Sequence, residues 1–348
     1  MTTLSVIGNP GNRRVTMFAD AVAGAGLPPP RVYAWRDVLT GGPVPGPGER
    51  VRIDSPGEDA QVGRLLRGAV TEAEHGEITG TAAAHAGLGA ALRRVEDGGG
   101  TLLSAPDDIL TMSDKPRCHA LLREHGVPVP GALAGITGYD GLRAAMRAAG
   151  WARVFVKPSH GSSASGVLAL TAAHGRVAAV TSVERGPGGR LFNNLTLRRY
   201  EREADVAAIV DALGADGLHV ERWFPKAGLG ARTVDLRVVV IAGEARHVVV
   251  RASRSPLTNL HLGNARGDVA TVRARAGERA WDAAMETCAR VGAAFPRTLM
   301  AGVDLMFHAG WRRHAVAEVN AFGDLLPGVS HRGEDTYTAQ LRAALCAV

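Results

Sequence analysis

Near the C-terminus, three oxygen-bearing side chains stand at spacings that suit a metal ion. They are Asp304, Glu318 and Asn320, within GVDLMFHAGWRRHAVAEVNAFGDLLPG, Gly302 to Gly328. The stretch reads as two short strands, Val303 to Phe307 and His314 to Val319, joined by a tight connection centred on Trp311. Glu318 and Asn320 are two apart, so an extended backbone sends both side chains to one face. Antiparallel pairing sets Asp304 across from Glu318. Hard divalent cations take oxygen ligands, and Mg²⁺ is usually held by one or two carboxylates together with substrate phosphates. The plainer reading is a β-hairpin with ordinary polar positions.

Lysine usage points the same way. Lys and Arg total 40, yet lysine occurs only at Lys115, Lys157 and Lys226. A chain that uses arginine for general surface charge keeps lysine where arginine cannot replace it, and a compact point charge on a phosphate is such a role. Ser113 or Asp114 can cap a helix whose first turn suits Pro116, which puts Lys115 at an anion-friendly helix start. Lys157 ends a strand from Arg153 and opens a loop containing Ser159, Gly161, Ser162, Ser163 and Gly166, before a second strand, Val167 to Leu170. Small residues let backbone N–H groups approach an anion closely. Here the lysine precedes the glycines, so this is not a Walker A loop, and a hairpin covering phosphates from above fits better. Lys226 lies in the loop PKAGLGART, which is either part of the same site or simply mobile.

Two further stretches add partners. HVERWF, His219 to Phe224, is a short strand whose end, with Arg222, Trp223 and Phe224, suits an adenine ring; Glu221 can accept from its amine or from a ribose hydroxyl. A plain strand with one buried tryptophan is the alternative. Val234 to Ile241 and Arg246 to Ala252 form a hairpin through Ala242-Gly243-Glu244. Asp235 and Arg237 share one face of it, and charges in so apolar a hairpin are costly unless paired or bound to something. Arg251, Ser253, Arg254, Asn259 and His261 follow as a donor-rich rim for a carboxylate or phosphate. Arg251 reads either as a group facing a phosphate or as a structural partner of Asp235.

The elements that position these residues alternate between strand and helix. Leu4 to Gly8 reads as a buried strand, followed by the turn Asn9-Pro10-Gly11 and a helix to about Ala23, then a strand from Val32 to Trp35. This order argues for an open α/β lobe. GGPVPGPGER is a Pro/Gly loop, and Gln61 to Val95 reads as helical with breaks at His75-Gly76 and Gly87. A helix follows from about Asp114 to His125, another from Tyr139 to Ala149, and an amphipathic one from Trp281 to Val291.

Composition sets the class. A chain of 348 residues is long enough for two or three lobes, and 46% hydrophobic with 21% charged residues is ordinary for a globular protein. No apolar run is long enough to span a bilayer, so no membrane partner is expected. The N-terminus lacks a secretory pattern and the three cysteines are scattered, so a cytoplasmic setting is expected. The net charge of +6 is spread along the chain rather than blocked, which favours an anionic small ligand over nucleic acid. A homo-oligomer stays open.

Taken in order, these motifs resemble the ATP-grasp superfamily over roughly residues 105 to 330, and the C-terminal half resembles its RimK-like branch. The residues that carry the resemblance are Lys115 before its helix, VFVKPSHGSSASG, VERWF, VDLRVVVIAG, VRASRSPLTNLHLG and GVDLM with AEVNAFGDLLPG. The resemblance implies an α/β protein with α+β lobes, namely an ATP-grasp fold preceded by an open α/β lobe. It divides as 1–112, a small lobe 113–222 and a C-terminal lobe 223–348. It implies that Lys115 and Lys157 hold ATP phosphates, with Glu221 and nearby backbone holding adenine and ribose. It also implies one or two Mg²⁺ (Mn²⁺ as alternative) on Asp304, Glu318 and Asn320, and phosphates and an acyl intermediate faced by Arg237 and Arg251. The partners implied are ATP, a small-molecule or peptide carboxylate and an amine. Two features depart from the family pattern: Lys226 stands where an acidic ribose ligand is common, and EVNAFGDLLPG lengthens the usual E-V-N-x-x-P-G. The implied activity is ATP-dependent ligation; a kinase on the same fold, or a nucleotide-binding module without turnover, are the alternatives.

Overall fold

The computed structural model describes residues 3–161, 164–323 and 326–346. The chain opens with β1 (Thr3–Gly8), α1 (Arg13–Gly24), β2 (Arg31–Ala34) and α2 (Trp35–Leu39). β3 (Glu49–Ile53), α3 (Ala60–Arg67), α4 (Thr81–Asp97) and β4 (Thr101–Leu102) complete a parallel sheet in the order β2-β1-β3-β4. The apolar run Leu4 to Ile7 suits a parallel strand covered on both faces. Its Leu4 and Val6 pack on Phe18 and Val22, while Ile7 joins the cluster of Trp35 and Leu92. The Pro/Gly loop ends sooner than expected, because Glu49 and Arg50 already belong to β3, and Trp35 begins a helix instead of ending a strand.

Gly87 also departs from expectation: α4 runs through it without a break. A Cβ there would lie 2.0 Å from the Leu66 carbonyl oxygen, so the glycine lets α3 and α4 touch. Gly87→Ala should therefore destabilise the fold by about 1–3 kcal/mol despite the better helix former. Gly89→Ala, whose Cβ would meet its neighbours at an ordinary 3.5 Å, should be neutral or stabilising. Urea melts of the two variants check this, and equal stabilities would refute it.

α5 (Pro106–Met112) and α6 (Lys115–Glu124) lead into a second sheet. It contains β5 (Ala132–Leu133), β6 (Arg153–Pro158), β7 (Leu168–Ala173), β8 (Arg176–Arg185), β9 (Leu191–Tyr200) and β10 (Leu218–Arg222), with α7 (Tyr139–Ala148) and α8 (Glu203–Gly214) packed on it. The strands are antiparallel in the order β5-β10-β6-β7-β8-β9. The long β8–β9 hairpin and α8 had no counterpart in the sequence reading.

The third sheet is antiparallel, with the order β14-β13-β12-β15-β16. Its elements are β11 (Gly228–Leu229), β12 (Arg232–Ile241), β13 (Glu244–Ser253), β14 (Ala265–Gly267), α9 (Val269–Ala276), α10 (Glu278–Ala294), β15 (Met300–Phe307) and β16 (His314–Asn320). β12 and β13 turn at Ala242 and Gly243, both with positive φ, the pattern of a two-residue hairpin. The last helix, α11 (Thr336–Cys346), returns to the first lobe, where Tyr337 and Leu341 pack on Val6 and Phe18. One apolar cluster runs from the first sheet through Ile109 and Leu122 to Val303 and Phe307, whereas the second sheet has its own core around Val156, Leu170 and Val220. Among the described residues no helix is long and apolar enough to cross a membrane.

Candidate active site

The second and third sheets meet at a cleft, and register places most of its charges there. Asp114 caps α6 by accepting from the Arg117 N–H at 3.0 Å. Lys115 is the first helical residue; its backbone N–H donates to Ser159 O at 3.0 Å and its Nζ to Gly161 O at 2.8 Å. The start of α6 is thus stitched to the small-residue loop after β6. Lys115 Nζ also lies 3.5 Å from Glu318 Oε1.

Lys157 and His219 are directly paired on β6 and β10, and Glu221 pairs with Phe155. The period of two puts Lys157, His219 and Glu221 on one face. Lys157 Nζ donates to Glu221 Oε2 at 2.7 Å, and His219 Nε2 lies 3.0 Å from Glu221 Oε1. Burial opposes the Glu221 charge, but Lys157 and His219 outweigh it and pull the carboxyl down to about 2. Both Glu221 oxygens are thus already engaged by protein donors, which the expected adenine or ribose contact did not foresee.

Cross-strand pairing also explains the charges of the third sheet. Asp235 stands opposite Arg251, Arg237 opposite Asp304, and Asp304 opposite Glu318. Arg251 Nε donates to Asp235 Oδ1 at 2.7 Å, and its guanidinium reaches Asp304 Oδ2 at 3.1 Å. Arg237 Nε donates to Asp304 Oδ1 at 2.5 Å. Asp235 also accepts from Lys226 Nζ at 2.8 Å and from the Thr258 hydroxyl. Burial works against the Asp235 charge, yet Arg251 and Lys226 hold its carboxyl well below the usual range. Lys226 belongs to the same site: Asp235 and Thr258 accept from its ammonium, and its backbone bridges to His308.

Lys115, Lys157, Lys226, Arg251, Asp304 and Glu318 all line one cleft, as do Gly161 and Glu221. A β-bulge on β16 contributes: after Asp304 faces Glu318, Leu305 faces Val316, so Ala317 is the extra residue and both Ala317 and Glu318 border the cleft. Apolar side chains, among them Pro130, Phe155, Phe224 and Met306, also line the cleft, as does Arg222. Phe155 lies two residues before Lys157, the strand spacing that puts both on one face.

Other expected residues lie elsewhere. Asn320 faces Gly302 and donates to its carbonyl at 3.2 Å; among the described residues it does not line the cleft. Trp223 does not line the cleft but stacks on Phe155, which does, with ring centroids 4.8 Å apart. Ser159 and Gly166 belong to the loop but not to the lining. Of the rim, Asn259 lines the cleft; Ser253 is buried against Ser255, and Arg254 is exposed. Ser162, Ser163 and the His261 side chain lie outside the described residues. Thr258, which the sequence reading missed, lines the cleft and shares Lys226 with Asp235.

The metal expectation can be tested on the donor set. Among the described residues, no three His, Cys, Asp or Glu side chains are grouped to hold an ion by themselves. Asp304 and Glu318 face one another across β15 and β16 at the cleft and offer hard oxygens, those of Asp304 shared with Arg237 and Arg251. That set fits Mg²⁺ of the kind that completes its shell with phosphate oxygens and water.

No protein-family model and no curated protein matches the chain. Solved structures do match it along almost its whole length. D-cycloserine synthetase DcsG is 18% identical, with 98% of each chain covered and a TM-score of 0.62. The ATP-grasp ligase PsnB, complexed with a minimal precursor, is 16% identical, with 99% of each chain covered and a TM-score of 0.56. Macrocyclase MdnC bound with precursor peptide MdnA, from Microcystis aeruginosa MRC, is 11% identical, covering 99% of this chain and 100% of that one with a TM-score of 0.55. PsnB has also been solved with Mg and ADP. At these identities the likeness is one of fold, and the chain has the ATP-grasp fold.

Proposed function

From this fold, we propose that the protein is an ATP-dependent carboxylate–amine ligase of the RimK-like kind, acting on an amino-acid or peptide carboxylate. The observation that carries the reading is the gathering of three lysines, Arg251 and two opposed carboxylates in one cleft that apolar side chains also line. The apolar lining, with Phe155, Phe224 and Met306, receives the adenine. Lys115 and Lys157 bind the phosphates at the seam between the lobes.

The acid's carboxylate oxygen attacks the γ-phosphorus while the bond from the β–γ bridging oxygen breaks, giving an acyl phosphate and ADP. An amine nitrogen then attacks the acyl carbon, phosphate leaves, and the amine proton is released. Phosphoryl transfer spreads negative charge over oxygens, so catalysis needs positioned cations more than a covalent nucleophile. Lys115, Lys157 and Arg251 are such cations, each paired with a carboxylate of the protein. Asp304 and Glu318 would hold Mg²⁺, which would supply further positive charge for the phosphates.

The test is a screen of amino-acid and peptide pairs for ADP release, followed by hydroxylamine trapping. A ligase yields ADP together with a hydroxamate. ADP without hydroxamate would mean a kinase, and nucleotide binding without ADP would mean a binding module.

A further inference from the structure

We infer that His219 is a positioning residue for the phosphate-binding lysine: it clamps one oxygen of Glu221 so that the other is aimed at Lys157. The inference rests on the ATP-site reading and goes one residue deeper. A lone lysine on a buried carboxylate leaves the carboxylate free to turn about its last bond. A second donor on the other oxygen removes that freedom. In this protein the second donor is His219 Nε2, 3.0 Å from Glu221 Oε1, while Glu221 Oε2 takes Lys157 Nζ at 2.7 Å. An ionised carboxylate only accepts, so His219 carries its proton on Nε2. His219 is 3% exposed and Glu221 5%, so neither is held by solvent.

The clamp also ties the two phosphate lysines together. The His119 ring sits 5.2 Å from that of His219, tilted by 58°, and His119 Nε2 donates to Pro130 O at 2.7 Å. His119 lies one helical turn after Lys115 on α6. A path of packed groups therefore runs from α6 and Lys115 through His119, His219 and Glu221 to Lys157. Side chains held from behind in this way keep the geometry that a binding site needs.

The experiment compares His219→Gln with His219→Asn. A glutamine amide reaches the place of Nε2 and can still donate to Glu221, whereas an asparagine amide is too short. Mg·ADP affinity by calorimetry, KM for ATP, kcat and melting temperature are measured on both. The expected result is that His219→Asn weakens Mg·ADP binding and raises the ATP KM by about tenfold, roughly 1.4 kcal/mol. His219→Gln should stay within about threefold of the unaltered protein, with the two melting temperatures close together. Equal losses in both variants, or unchanged affinity in His219→Asn, would overturn the inference while leaving the ATP site intact. An unaltered protein that bound no Mg·ADP would overturn the ATP-site reading, and this inference with it.

Discussion

Arg251→Ala should lower kcat about a hundredfold or more, roughly 2.7 kcal/mol, and should also lower the melting temperature. The activity half follows from position. β13 delivers Arg251 from an apolar run to the cleft, where its guanidinium lies 3.1 Å from Asp304, one of the two opposed carboxylates that line it. A cation that meets charge growing during transfer raises turnover more than it tightens binding, so ATP affinity should change little. The stability half follows from pairing. Arg251 is 5% exposed, and burial opposes its charge, but Asp235 and Asp304 raise its pKa further above the arginine range. Removing one partner of a buried pair typically costs about 3–5 kcal/mol. Lys226 and Thr258 remain on Asp235 and Arg237 on Asp304, so the loss should fall at the lower end of that range. Measuring kcat well below the melting point separates the two halves. Normal turnover by the folded variant would remove the catalytic role and leave Arg251 as a structural partner of Asp235.

Lys157→Arg should lose most activity although it keeps the charge. Lys157 is 8% exposed, with its Nζ 2.7 Å from Glu221 and 3.4 Å from Ala317 O. A planar fork does not fit where a compact ammonium is enclosed by a strand, a carboxylate and a bulge. Lys157→Met tests the electrostatics. Lys157 and His219 hold the unaltered Glu221 carboxyl down to about 2, below the value of about 4.3 for a free glutamate. The pair's stabilisation is therefore fully present above about pH 4.3 and is lost as the pH falls through the folded value. Without the ammonium, burial is the largest influence left on Glu221 and raises its pKa. Lys157→Met should then be less stable at pH 7 by about 3–5 kcal/mol and should recover part of that on acidification towards pH 4. Denaturant melts at both pH values check this. A Lys157→Arg variant with near-normal turnover would refute the lysine requirement, and a Lys157→Met deficit that does not shrink with acid would refute the electrostatic account.

What the sequence by itself determined is mostly local. The facing of Asp304 and Glu318 was legible because two short strands and a tight connection leave few registers. The start of α6 was legible because Asp114 and Pro116 are capping chemistry read within one turn. The scarcity of lysine marked Lys115, Lys157 and Lys226, all of which border the cleft. Only the tertiary structure decided which charges meet. Asp235 finds Arg251 and Arg237 finds Asp304 because β12 lies between β13 and β15, an order that no spacing within either hairpin encodes. The bulge at Ala317 depends on how β16 must twist to pair, and Thr258 arrives from a loop with no periodicity to read. Gly87 looked like a helix break because a glycine's local cost is visible in sequence, whereas its use, a helix contact with Leu66, is long-range. The same holds for His219: its neighbour Glu221 is two residues away in sequence, but Lys157 is brought to them only by strand pairing.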